Sequence, residues 1–197
     1  MSREKEIRTL TMPVEVRADE ESGTNYIVGY ALKFNSESND LGGFVEIIEP
    51  GALDGADMSD VRALFNHSAD KVLARSKSGT LKLEVDEIGL KYTIAPPDTT
   101  YARDLMESMQ RKDIDQSSFA FTLNWMEGDD DIEYDEARDI YIRTIKKFRK
   151  IWDVSVVTYP AYEKTESVVG QRSLDNYKNE VAKQLKKRQI ALELDLI

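Results

Sequence analysis

The stretch TLKLEVDEIGLKYTI, residues 80–94, constrains the fold more tightly than any other part of the chain. Leu81, Leu83 and Val85 alternate with polar residues, a turn follows over residues 86–89, and Leu90, Tyr92 and Ile94 resume the alternation. Side chains along a strand point to opposite faces in turn, so a period of two predicts a hairpin with one buried face. RTLTMPVEVRA (8–18) and YIVGYALKF (26–34) form a similar pair around the polar DEESGTN, and DIYIRTIKKFRKIWDVSVVTYP (139–160) alternates for long enough to bend or to cross two sheets. Most of residues 8–160 therefore reads as strand, and an all-β core is expected.

Two helices are expected to interrupt it. A short one follows Pro50 in EPGALDGA (49–56), with the proline at a first-turn position. A longer one covers TTYARDLMESMQRKD (99–113), where Tyr101, Leu105 and Met109 recur every four residues beside Ala102 and Met106, and Asp98 or Thr99 caps the start. EGDDDIEYDE (127–136) gathers acidic side chains but lacks the spacing and glycine of a calcium loop, and is expected to be a solvated mobile loop. From Ser173, Leu174, Tyr177, Val181 and Leu185 share one helical face. The chain thus divides into a β domain over residues 1–165 and an amphipathic helical tail over 166–197 that docks on the body or on a partner.

Composition narrows the chemistry. With 41% hydrophobic and 32% charged residues the chain suits a globular fold, and no apolar run nears the roughly 20 residues of a membrane span. The polar N-terminus carries no export signal, so a cytoplasmic setting is expected. A net charge of −10 opposes nucleic-acid binding, which draws on a basic face. The basic KKFRK (146–150) reads as a solvated strand edge. The absence of cysteine excludes thiolate nucleophiles, thiolate metal sites and disulfides.

One histidine in 197 residues, His67, must then carry any imidazole chemistry. In VRALFNH it falls in line with Val61, Ala63 and Phe65, at a strand end that suits the rim of a cleft. Taken alone, a histidine in such a place is more often structural or at the surface than a base, and a metal ligand acting with Asp60 or Asp70 is a further alternative. A base needs a hydroxyl to deprotonate and a carboxylate to orient it. DQSSFAFTL supplies paired serines: Ser118 lies with Ala120 and Thr122 on one face, Ser117 with Phe119 and Phe121 on the other. The small neighbours favour Ser118 as the one a peptide could reach. In IWDVSVVTYPAY, Asp153 sits within an apolar β-branched strand and needs a partner, whether His67 or a cation such as Arg143 or Lys147.

The segments NHSADKVLARSKSGTLKLEVDEIGLKY, PPDTTYARDLMESMQRKDIDQSSFAF and WDVSVVTYPAY, in order between Tyr30 and Tyr162, closely resemble the prohead (capsid maturation) serine proteases of tailed bacteriophages of the HK97 type, distant relatives of the herpesvirus assemblins. The resemblance implies a mainly β fold with flanking helices (α+β), built as a closed antiparallel β-barrel of the assemblin type. It carries the base onto His67, the nucleophile onto Ser118 and the third member onto Asp153, with Glu163 and Glu166 as rivals for that last place. The oxyanion donors map to the turn around Pro160; since proline has no N–H, Ala161 and Tyr162 remain. No cofactor or metal is implied. The implied substrate is the scaffold region of the major capsid protein, and the protease itself, inside the procapsid in the host cytoplasm. The peptide would add as a strand beside Ser118, and a homodimer is expected by analogy. A barrel of the same lineage that acts only as an assembly module is the competing reading.

Overall fold

A computed structural model describes residues 5–10, 13–18, 23–124, 127–159, 174–183 and 186–187. Among them, twelve strands form three sheets. The four-stranded sheet is antiparallel, in the order β2 (Glu15–Ala18), β3 (Asn25–Lys33), β8 (Gly89–Ile94), β7 (Leu81–Val85). It contains the expected 80–94 hairpin, with Leu81 opposite Ile94 and Val85 opposite Leu90. The five-stranded sheet runs β1 (Glu6–Leu10), β9 (Gln116–Thr122), β12 (Lys150–Val157), β5 (Arg62–Phe65), β6 (Val72–Arg75). The third sheet runs β10 (Asp130–Asp135), β11 (Ile140–Ile145), β4 (Phe44–Ile48). Residues 139–160 do cross two sheets, β11 lying in the third and β12 in the five-stranded one.

The core lies between the four- and five-stranded sheets. Ile27, Leu32, Leu90, Tyr92 and Ile94 from one side meet Phe119, Phe121, Ile151, Val154 and Val156 from the other. Phe119 and Phe121 stack at 5.1 Å, and Phe148 meets Phe121 edge-on at 5.0 Å. Each such side chain contributes about 1.5–3 kcal/mol on burial. Helix α1 (Thr100–Gln110) closes one side through Ala102, Leu105 and Met109, the face expected from its spacing. Thr99 holds the N-cap backbone position in extended geometry without capping through its hydroxyl, and Asp98 pairs instead with Arg103.

Four expectations are corrected. No sheet closes into a barrel among the described residues: the five-stranded sheet has open edges at β1 and β6, and the pairs β12–β5 and β11–β4 are parallel, so it is not antiparallel throughout. The segment after Pro50 is a run of turns, because Gly51 (φ 87°) and Gly55 (φ 76°) adopt left-handed conformations that a right-handed helix excludes. The acidic stretch is largely strand β10, its charge balanced from outside: Asp130 pairs with Arg143 at 2.6 Å and the preceding Asp129 with Arg149 at 2.5 Å. The basic KKFRK mostly links β11 to β12, with Phe148 fully buried at its centre.

The tail helix, α2 (residues 174–183), docks by its first turn, Leu174 packing with Phe44 and Ile132 and Tyr177 against Tyr141. Val181 is exposed, and Leu185 lies outside the described residues. No helix among those described is long and apolar enough to cross a membrane.

Candidate active site

Strand β9 sorts its two serines as its alternation predicts. Ser117 faces the core, where its hydroxyl meets the Tyr92 hydroxyl at 3.0 Å. Tyr92 comes so close to β3 that a Cβ on Gly29 would stand 2.7 Å from its hydroxyl, which is why that position is glycine. Ser118 faces the opposite way, opposite Thr9 of β1 and Ser155 of β12.

Asp153 reaches that same face through an irregularity. Ile151 pairs with Phe121 and Asp153 with the next residue, Ala120, which leaves Trp152 as an unpaired bulge. The extra residue reverses the parity of the strand. Ile151, Val154 and Val156 accordingly enter the core, while Asp153 and Ser155 join Ser118 on the site face.

His67 is not in the strand that precedes it. Strand β5 ends at Phe65, and Asn66 (φ 52°) and His67 (φ 53°) form a tight turn closed by the Ser68 N–H donating to the Phe65 carbonyl at 3.1 Å. Two successive left-handed residues other than glycine cost about 1–2 kcal/mol each. Asn66 is tied down on three sides. Its N–H donates to the Val156 carbonyl at 2.9 Å, its side-chain NH₂ donates to Thr158 Oγ1 at 3.1 Å, and its side-chain oxygen accepts the Thr158 N–H at 2.9 Å. The turn is thereby fixed to the end of β12.

These three elements bring the predicted residues together. His67 Nε2 lies 2.6 Å from Ser118 Oγ, and Nδ1 lies 2.5 Å from Asp153 Oδ1. With Asp153 ionised, Nδ1 carries the proton and Nε2 is free to accept one. Ser155 Oγ donates to Asp153 Oδ1 at 3.1 Å and stands 3.2 Å from Nδ1. Lys5 Nζ donates to Asp153 Oδ2 at 2.6 Å. Burial raises the Asp153 carboxyl, yet the hydrogen bonds and positive charge of His67 and Lys5 outweigh it and hold the group below its ordinary value. The cations weighed from sequence do not reach Asp153: Arg143 pairs with Glu6, Glu46 and Asp130. Asp60, considered as a metal partner of His67, is held by both nitrogens of the Arg75 fork.

Access is restricted. Ser118 is fully buried and the His67 side chain keeps 13% exposure. The Ser118 hydroxyl also lies 3.0 Å from the Arg8 carbonyl of β1, a second acceptor for its single proton. Both edges of β9 are paired, by β1 and β12, so a substrate strand cannot add directly beside Ser118 as expected from sequence. Ala161, Tyr162, Glu163 and Glu166 lie outside the described residues.

Sequence reasoning missed Lys5, Ser155 and the anchoring role of Asn66. Asn66 carried a signal, since Asn before a histidine at a strand end suits a left-handed turn. Ser155 was visible as the residue two after Asp153 on one strand. Nothing local marks Lys5, which reaches Asp153 across 148 residues of chain.

A hydroxyl, an imidazole and a carboxylate joined in series define the class of the serine hydrolases. A family model described as caudovirus prohead serine protease matches residues 12–180, and the chain belongs to that family, the serine peptidases of capsid maturation. No curated protein and no solved structure matches the chain.

Proposed function

We propose that this chain is a serine endopeptidase that cleaves the scaffold region of the major capsid protein, and itself, inside the procapsid, with Ser118 as nucleophile, His67 as base and acid, and Asp153 as the group that orients the imidazole. The observation that carries the reading is the use of both ring nitrogens: Nε2 at 2.6 Å from Ser118 Oγ and Nδ1 at 2.5 Å from Asp153 Oδ1. His67 takes the Ser118 proton as Oγ attacks the scissile carbonyl carbon, then returns it to the leaving amine as the acyl-enzyme forms. Water, deprotonated by the same imidazole, hydrolyses the ester. Asp153 holds the tautomer and offsets the imidazolium charge. Ala161 or Tyr162 supplies an oxyanion donor.

One observation favours a second reading, an inactive assembly module of the same lineage: the complete burial of Ser118. Coexpression with the capsid protein separates the two. Wild-type chain is expected to shorten the capsid protein by its scaffold region, and Ser118→Ala and His67→Ala to reduce the rate by about 10⁴-fold or more while shells still assemble. Cleavage that survives Ser118→Ala and fails in Ser117→Ala overturns the choice of nucleophile, and no cleavage by the wild type supports the module. Specific activity that rises with protein concentration would report a requirement for the homodimer.

A further inference from the structure

The Asp153 carboxylate has more partners than the proposed reaction uses. Oδ1 serves His67 and Ser155, whereas Oδ2 is taken by Lys5, just ahead of β1. Along β1, Glu6 and Arg8 pair with the core-facing Phe121 and Phe119, and Ile7 and Thr9 with the site-facing Ala120 and Ser118. Strand alternation therefore puts Lys5 on the site face, and the β1–β9 register keeps it there.

The surrounding charges leave Lys5 alone in this position. Arg62, opposite Asp153 on β5, turns to Asp60, and Lys150 on β12 pairs with Asp57. On the site face β9 presents Ser118, Ala120 and Thr122, none of them charged. His67 and Lys5 are thus the charge-bearing groups that act on this carboxylate. Lys5 keeps 43% of its side chain exposed, while Asp153 keeps 3%.

We infer that Lys5 is a positioning residue for the reaction proposed above: its ammonium pins Asp153 Oδ2 so that Oδ1 meets His67 Nδ1, and it offsets part of the negative charge that the imidazole feels. The inference rests on that reading of Ser118, His67 and Asp153. Without the ammonium, Asp153 attracts the imidazolium proton more strongly, so the imidazole stays protonated, and unable to act as a base, up to a higher pH. Lys5 thereby sets the acid side of the activity profile from outside the segment that matches the family, which begins at residue 12.

His67 is the one histidine of the chain, so its imidazole signal in an NMR titration reports a single residue without assignment. In a Ser118→Ala background that silences self-cleavage, Lys5→Met is expected to raise the His67 titration midpoint by roughly half to one pH unit, and Lys5→Arg to restore it. In the active chain Lys5→Met should lower kcat/KM about 3- to 10-fold more below the midpoint than above it, with KM unchanged. A merely structural loss would lower the rate by the same factor at every pH. A folded Lys5→Met chain with the wild-type midpoint, or a Lys5→Arg midpoint displaced as far as that of Lys5→Met, overturns the inference, and Lys5→Gln repeats the test if methionine disturbs folding. Since the titration needs no turnover, an inactive wild-type enzyme would sink the proposed function and still leave this measurement to decide the role of Lys5.

Discussion

The two faces of the β1–β9 pair both hold charges withdrawn from water, and they handle them differently. On the core face Arg143 donates to Glu6 and Glu46 at 2.7 Å and to Asp130 at 2.6 Å, while Arg8 donates to Glu46 at 2.5 Å. On the site face Asp153 holds His67 and Lys5. The core face uses guanidinium, which stays charged at any pH the fold survives, so its partners cannot exchange roles. The site face uses imidazole, the side chain that changes charge near neutrality. One pair of strands therefore separates fixed charge, which holds elements together, from a proton that can move. Three carboxylates share two arginines in the core cluster, and burial, with Glu6 and Glu46 nearby, leaves Asp130 raised despite Arg143.

Breaking each face should produce opposite phenotypes. Asp153→Asn is the larger test: the cleavage rate should fall by about 10⁴-fold while the fold persists, because the amide favours the wrong tautomer of His67. A folded and fully active Asn variant removes Asp153 from the mechanism. Arg143→Met should instead reduce stability by about 3–5 kcal/mol, since it strands carboxylates in the interior, with the cleavage rate per folded molecule kept within a few-fold. Denaturant unfolding of wild type and variant measures it, and an unchanged midpoint would mean the cluster is not holding the sheets together. The smallest effect lies in acid. Asp153 is depressed, so its contribution to stability is fully present above its ordinary value near 3.8 and is lost as pH falls through the lower folded value. Glu46, depressed by Arg8 and Arg143 against the opposing effect of burial, behaves likewise from 4.5 downward. Asp130 runs the other way, since ionising a raised carboxyl weakens the fold, and acid relieves that penalty. Acid-unfolding curves should therefore flatten in Asp153→Asn relative to wild type.

Features set by local period were legible before any coordinates. The 80–94 hairpin, the buried face of α1, the crossing of residues 139–160 between sheets and the opposite facing of Ser117 and Ser118 all follow from alternation or helical spacing. Features set by a distant partner were not. The turns at residues 51–55 are a local exception, read as helix until two glycines are found at positive φ, whereas Asp130 reads as solvated until the Arg143 side chain pairs with it. The expected barrel failed for the same reason, as the closing of a sheet depends on which edges meet, and β1 and β6 do not. His67 reads as a strand residue because its sequence keeps the parity of β5, although the backbone has already turned.

The unpaired Trp152 means that the chemistry of β12 depends on counting as well as on residue type. Excising that single residue would close the bulge and leave Asp153 opposite Ala120, beside the imidazole, whereas a slip that drew Trp152 into the ladder opposite Ala120 would put the carboxylate opposite Phe119, on the core side. Loss of the bulged residue should therefore be tolerated, while an insertion beyond Ser155 would displace Val156 and Thr158 and with them the Asn66 anchor that carries His67.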